Sequence, residues 1–421
     1  MRTCGAGGRG GTAGGFDFGG ETAYNRRRWR VRGRRSVVGP SSHPRGYRRV
    51  IELRVTSAGR RPTRPAKCGG VLIGAGAPVS VQSMTTTPTE RADLTLGQIE
   101  ELAALGCEII RCAVPNRRAV DGLRRITQAS PLPVVADIHF DHHLALAALE
   151  AGAHGVRINP GNMRDQEGLR AFYRAAARAG AKVRIGVNSG SIRPRRGLEV
   201  DPGAPADDMA GLMVETVLDY CRAAEAEGLA NIVLSLKASD VPTTVAAYRR
   251  AAGCCDYPLH VGVTAAGPPR TSTVKSAVGI GTLLAEGIGD TIRVSMTGPP
   301  HEEVRTGIAI LEALELRRPE GPEVISCPTC ARCEIDLPAL VDEISDAVRG
   351  LPGGLRIAVM GCVVNGPGEA AEADVGVAGG RDFGYVFRDG RRVRKAPAGE
   401  LARALLEELE RLRAARAEGR P

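Results

Sequence analysis

The stretch "GVRINPGNMRDQEGLRAFYRAAARAGAKVRIGVN", residues 155–188, decides the fold. A short run rich in β-branched residues (155–161) gives way to the amphipathic segment "EGLRAFYRAAARAG". A second short run (183–188) then follows. The apolar period passes from two to about 3.6 residues and back, which is the signature of a strand, a helix and a strand. Consecutive strands joined by a helix lie parallel. Working outward, the same unit recurs upstream around "VSVQSM" (79–84), "EIIRCAV" (108–114) and "VVADIHF" (134–140). Downstream it recurs around "NIVLSLKA" (231–238), "LHVGVTAAG" (259–267) and "TIRVSMT" (291–297), with the closing helix "HEEVRTGIAILEALEL". Eight units over roughly 250 residues are the size of a TIM (β/α)8 barrel. A doubly wound sheet is the alternative. It usually has fewer strands, and the stretch "GVLIGAGAP" (70–78) only weakly echoes its dinucleotide loop.

The strands carry a second pattern. Arg157 and Asn159, Ser235 and Lys237, Arg293 and Ser295, and Asp137 and His139 are two residues apart, and Arg184 and Asn188 are four apart. Even spacing puts strand side chains on one face, and each set lies in the second half of its strand. In a barrel that is the carboxyl-terminal mouth, where active sites sit. Arg111, Arg157, Arg184, Lys237 and Arg293 are therefore expected to converge on one pocket. Asp137 alone does not balance five cations. A ligand with several negative charges, such as a diphosphate, supplies what is missing, and arginine reads phosphate bidentately. The competing expectation is a set of structural salt bridges, for which the strands contain few acids.

Charge is unevenly spread. Residues 1–67 hold 17 cations against three acids, which leaves −4 of the chain's +10 for the rest. This Arg- and Gly-rich stretch has no apolar period and reads as a disordered extension. Aromatics make up only 3% of the chain, which argues against stacking on nucleic-acid bases. No apolar run reaches the length of a membrane span and no signal peptide is visible, so a cytoplasmic protein is expected. In that compartment Cys107, Cys112 and Cys221 read as small core residues, and the adjacent Cys254 and Cys255 as structural.

The texture changes after residue 321, dividing the chain into an extension (1–67), a barrel (68–321) and a smaller α+β module (322–421). The module opens with "ISCPTCARCEIDL" (325–337) and continues through a helix, the strand "LRIAVMG", the Gly/Pro turn "NGPGEA" and an Asp389–Gly390 hairpin to a final amphipathic helix. Cys327, Cys330 and Cys333 stand three apart, and Cys362 follows. Zinc would prefer two Cys-x-x-Cys pairs, and Cys362 has no near partner. An iron–sulfur cluster fits the spacing better. Glu369 reads either as a further, harder and weaker iron ligand or as an exposed loop acid.

The motifs "VQSMT", "VADIHFD", "RINPGN", "RIGVN", "KASD", "KSAVGIG", "EGIGDTIRVS", "SCPTC" and "MGCVVNGPGEA" together closely resemble the GcpE/IspG family of 4-hydroxy-3-methylbut-2-enyl diphosphate synthases. The resemblance runs from about residue 68 to the carboxyl terminus and implies the two-domain bacterial form. It implies reductive ring opening of 2-C-methyl-D-erythritol 2,4-cyclodiphosphate in the non-mevalonate isoprenoid pathway, through a [4Fe–4S] cluster. Two electrons would arrive singly from flavodoxin or ferredoxin. A homodimer is implied, in which the cluster of one subunit caps the barrel of the other. Carried over, Cys327, Cys330, Cys362 and Glu369 match the cluster ligands, and Cys333 falls outside that set. Arg111, Arg157, Arg184, Asn188, Lys237, Arg293 and Ser295 match substrate-binding positions. One departure is Ala265, where the family usually has glutamate after Thr264. Two other readings compete: a pterin-synthase-like barrel transferase, which would leave the cysteines idle, and an RNA-binding protein with a zinc module.

Overall fold

The computed structural model describes residues 59–163, 165–189, 206–264, 267–364, 366–370 and 372–418. Residues 1–58, most of the expected disordered extension, and Ala265 lie outside the described residues. The described chain opens with a hairpin of β1 (Ala66–Cys68) and β2 (Val71–Ile73). Eight barrel strands follow: β3 (Ser80–Met84), β4 (Ile109–Ala113), β5 (Val134–Ile138), β6 (Gly155–Ile158), β7 (Lys182–Asn188), β8 (Ile232–Lys237), β9 (His260–Val261) and β10 (Thr291–Ile292). All neighbours are parallel, and β3 also pairs with β10. A parallel bridge between Leu234 and Leu259 joins β8 to the start of β9, so the ring closes. The last two strands are shorter than expected, although the Arg293 and Thr264 N–H groups just beyond them still donate to the Val261 and Ala238 carbonyls.

Helices α1 (Ala92–Ala104), α2 (Arg117–Ala129), α3 (His142–Glu150), α4 (Gln166–Ala179), α5 (Ala206–Ala226), α6 (Val241–Cys254), α7 (Pro269–Ala285) and α8 (Pro300–Ala313) alternate with the strands. Asn116, Asp141, Asp165 and Asp240 each accept an N–H of the first turn that follows them, satisfying donors a helix cannot satisfy itself. The outward strand residues Val134, Ala136, Ile138, Val183, Ile185, Ile232, Leu234 and Leu236 are buried under this helical layer. No helix among the described residues is long and apolar enough to cross a membrane.

The domain boundary expected at residue 68 needs correction. Arg60 bridges Asp290 at 3.0 Å and donates to the Gly289 carbonyl. Arg61 donates to the carbonyls of Cys255 and Tyr257. Arg64 pairs with Asp256 at 2.6 Å and lies over the Tyr257 ring. Ala66, Cys68 and Ile73 of the hairpin pack on Ile109, Val135 and Val233 and plug the amino-terminal end of the barrel. Composition marks this stretch as solvated, but its arginines have carbonyl and carboxylate partners on the barrel floor.

The carboxyl-terminal module is a five-stranded sheet in the order β11 (Glu323–Ser326), β12 (Arg356–Met360), β13 (Val375–Gly379), β14 (Phe383–Arg388) and β15 (Arg391–Pro397). The first three strands are parallel and the last three antiparallel. Helices α9 (Leu337–Ala347) and α11 (Leu401–Ala417) cover one face around Val359, Val377 and Val386. The expected hairpin turn is present, with Asp389 (φ 47°) and Gly390 (φ 74°) both left-handed. Two features differ from expectation. Strand β11 precedes the cysteines, and "NGPGEA" is a short helix, α10 (Gly366–Ala370), instead of a plain turn.

Candidate active site

TIM-barrel interiors are usually filled by branched apolar side chains. Here branched apolar residues (Ile109, Val135 and Val233) line the floor, and the inward positions also include Gln82, Arg111, Asp137, Arg157, Lys182, Arg184, Ser235, Lys237, His260 and Thr291. Register brings Asp137, Arg157 and Arg184 level on β5, β6 and β7, and Asn188 level with Lys237 on β7 and β8. Two glycines make the room. A Cβ at Gly186 would lie 2.6 Å from the Ser235 hydroxyl, and one at Gly262 would lie 3.0 Å from Lys237 Nζ and 2.5 Å from the Arg293 carbonyl. The five strand cations expected to converge do so. Arg111, Arg184 and Lys237 are buried, while Arg157 and Arg293 are largely buried. Ser295 follows Arg293 at the rim and is half-buried.

The carboxylates are arranged unevenly around these cations. Asp137 takes Arg157 at 3.3 Å, Arg111 at 3.8 Å and His139 at 3.3 Å. Burial opposes its ionisation, but the Arg111 charge, the His139 hydrogen bond and Arg157 outweigh it and hold the carboxyl far below its usual range. Burial pushes Arg111 down to about 10 despite Asp137, with Arg293 and Arg157 adding to the shift. Among the described residues, Arg184 has no acid as a hydrogen-bond partner. Its NH1 donates to Gln82 Oε1 at 2.7 Å, and its buried Nε has no partner among the described residues. Burial, then Arg111 and Arg157, press its protonation downward, yet a guanidinium stays charged in proteins. Lys237 is pushed well below the usual lysine range by burial, then by Arg184 and Arg293. The Arg184–Lys237 side of the cavity thus carries unbalanced positive charge, which a polyanion would relieve.

Sequence parity missed one acid. Glu303, in the first turn of α8, reaches the site from the helical layer and bridges Arg293 at 3.1 Å. Its only sequence signal is an acid soon after the last strand. Gln82, Lys182 and His260 were also missed. Their parity matches that of the inward set, so that signal was available.

The cysteines occupy the carboxyl ends of adjacent parallel strands. Cys327 follows β11 and Cys362 follows β12, with Ser326 level with Val359. Cys327 Sγ accepts the Gly361 N–H at 3.2 Å, which ties the two segments together. The Cys330 carbonyl accepts the Cys333 N–H at 2.9 Å, turning the loop. Glu334 fastens this loop by donating its N–H to the Gly361 carbonyl and accepting the Arg381 N–H. Cys330 is exposed, Cys327 half-buried and Cys362 buried. Cys333 is half-buried, donates to the Ile335 carbonyl at 3.3 Å and packs, as Cys327 does, against the module core beside Gly361. Glu369 is in α10, directly after the Cys362 loop, and its side chain lies outside what the structure describes.

Two family matches span these regions. Residues 63–308 match the GcpE TIM-barrel domain, and residues 323–411 match the GcpE protein C-terminal domain. The chain is 51% identical over 350 residues to the 4-hydroxy-3-methylbut-2-en-1-yl diphosphate synthase (flavodoxin) of Geobacter sulfurreducens, covering 83% of this chain and 98% of that protein. It is 50% identical over 356 residues to the protein of the same name from Salinispora arenicola, covering 84% and 90%. Among solved structures, a Yersinia pestis dihydropteroate synthase overlaps 60% of this chain and all of that chain, at 14% identity and a TM-score of 0.45. A likeness at that level carries no argument for the pterin-synthase alternative. The paired domain matches, and the identity over most of the chain, show that it belongs to the GcpE family.

Proposed function

We propose that the chain catalyses the reductive ring opening of 2-C-methyl-D-erythritol 2,4-cyclodiphosphate to 4-hydroxy-3-methylbut-2-enyl diphosphate. The observation that carries this reading is the cation-lined barrel interior, where Arg184 and Lys237 have no carboxylate in hydrogen-bond contact among the described residues. Arg111, Arg157, Arg184, Lys237 and Arg293 hold the diphosphate, with Asn188 and Ser295 as neutral donors. Enclosing a dianion among fixed cations in a water-poor cavity strengthens each contact and orients the ring. Asp137 keeps Arg157 and His139 in place at the mouth.

The thiols fit a [4Fe–4S] cluster. They are soft donors on neighbouring strand ends, and a backbone N–H already donates to Cys327 Sγ, a contact that tunes cluster thiolates. Cys327, Cys330 and Cys362 would hold it, with Glu369 as the fourth, replaceable ligand. Once bound, the cluster supplies the two electrons one at a time. We further propose a flavodoxin or ferredoxin donor, in line with the relatives' printed name, together with a homodimer and a cytoplasmic location. Anaerobic purification provides the test. About four irons per chain, a reduced-state EPR signal that changes on adding the cyclic diphosphate, and turnover with a reductant are expected. A colourless protein that binds the cyclic diphosphate without iron would overturn the redox assignment.

A further inference from the structure

We propose that Glu303 is a positioning residue that aims Arg293 at the substrate's anionic group. The proposal rests on the diphosphate reading above. Glu303 is 5% exposed, so its charge is removed from water and needs partners. Both of its oxygens have them. Oε1 accepts Arg293 NH2 at 3.1 Å and the Met296 backbone N–H at 3.2 Å. Oε2 accepts Arg293 NH2 at 3.1 Å, Arg293 Nε at 3.3 Å and the Ser83 hydroxyl at 3.3 Å. One carboxylate therefore ties together β3, the turn after β10 and the first turn of α8.

The consequence falls on Arg293. A guanidinium is planar, and holding it along its Nε–NH2 edge fixes the plane. The third nitrogen, NH1, donates to no protein acceptor among the described residues. Arg293 meanwhile senses the interior cations, since its charge lowers the protonation of Arg111 and of Lys237. Its own charge is offset by Glu303 on one side, which lets it stand near these cations without being driven out. Glu303 thereby determines which N–H Arg293 offers to a ligand and in what plane. A lysine at position 293 would keep the charge but could not be held in this way.

The experiment measures the holoenzyme's affinity for 2-C-methyl-D-erythritol 2,4-cyclodiphosphate by calorimetry, together with kcat, KM and the EPR spectrum. Glu303→Gln is expected to raise Kd and KM about tenfold with kcat within about twofold, as for lost ground-state binding, and to leave iron content unchanged. In an Arg293→Ala background the same change should cost nothing further, because the residues act as one unit. Arg293→Lys, which keeps the charge and spares the carboxylate, should weaken binding by a similar factor. Wild-type affinity in either Glu303→Gln or Arg293→Lys would overturn the assignment, as would an equal loss with and without Arg293. A wild-type protein that fails to bind the cyclic diphosphate would instead overturn the diphosphate reading, and this assignment with it.

Discussion

The barrel interior and the cysteine loop are built on opposite plans. In the barrel, the candidate groups are mostly strand side chains, buried or largely buried, held in register and cross-braced by Asp137, Glu303 and Gln82. Their arrangement is set before any ligand arrives, and its electrostatic cost is carried by the stability of the closed sheet. In the module, the thiols stand on turns beyond strand ends and range from buried Cys362 to exposed Cys330. A few backbone hydrogen bonds at Gly361 and Glu334 hold that loop. On the proposed function, the barrel would recognise a charged molecule, whereas the loop would be completed by a soft, multi-ligand group.

This contrast can be broken experimentally, beginning where the effect is largest. Cys362→Ser should abolish iron retention and lower turnover more than about 100-fold, yet leave calorimetric binding of the cyclic diphosphate near wild type. Loss of that binding would show that the two regions are not independent. Asp137→Asn should cost about 3–5 kcal/mol, because Arg111 and Arg157 lose their buried counter-charge. Urea unfolding of the wild-type and variant proteins measures the difference, and the cyclic diphosphate should restore part of it by supplying negative charge.

A smaller effect concerns protons. The folded, ligand-free chain holds Lys237 well below the usual lysine range, through burial and the neighbouring Arg184. Between that depressed value and the ordinary one the unfolded chain binds more protons, so this group's contribution makes stability rise with pH across that window. A diphosphate favours the charged ammonium. Binding should therefore take up protons, and affinity should fall as pH rises through the depressed value. Calorimetry in two buffers of different ionisation enthalpy would detect this, and net proton release would contradict it. The smallest expected effect is that of Cys333→Ser. The Cys333 thiol donates to the Ile335 carbonyl in the module core, so iron content should stay within about 10% of wild type and stability should change by about 1 kcal/mol or less. Loss of iron in this variant would redraw the ligand set.

Much of the barrel was legible because strand and helix periods are local. The alternation around residues 155–188 and the parity of Arg157 with Asn159 depend only on near neighbours in the chain. Residues 60–64 misled for the converse reason. Their arginines read as solvated, and only the folded chain shows the Gly289, Cys255 and Tyr257 carbonyls that accept them. Glu303 escaped notice because a helix acid meets a strand arginine only when the last helix packs over the barrel rim. Cys333 shares the spacing of its neighbours, so spacing alone does not say whether it is a ligand.

From the sequence alone came the strand and helix order, most of the polar side chains on the inner faces of the strands, and the run of cysteines. All of these are periodicities of a few residues, written in backbone geometry. The tertiary structure decided which acid neutralises which cation and what plugs the barrel floor. Those contacts join residues up to 230 positions apart, as Arg60 and Asp290 are. Such pairs are selected by strand register, ring closure and helix packing acting together, and no local pattern encodes them.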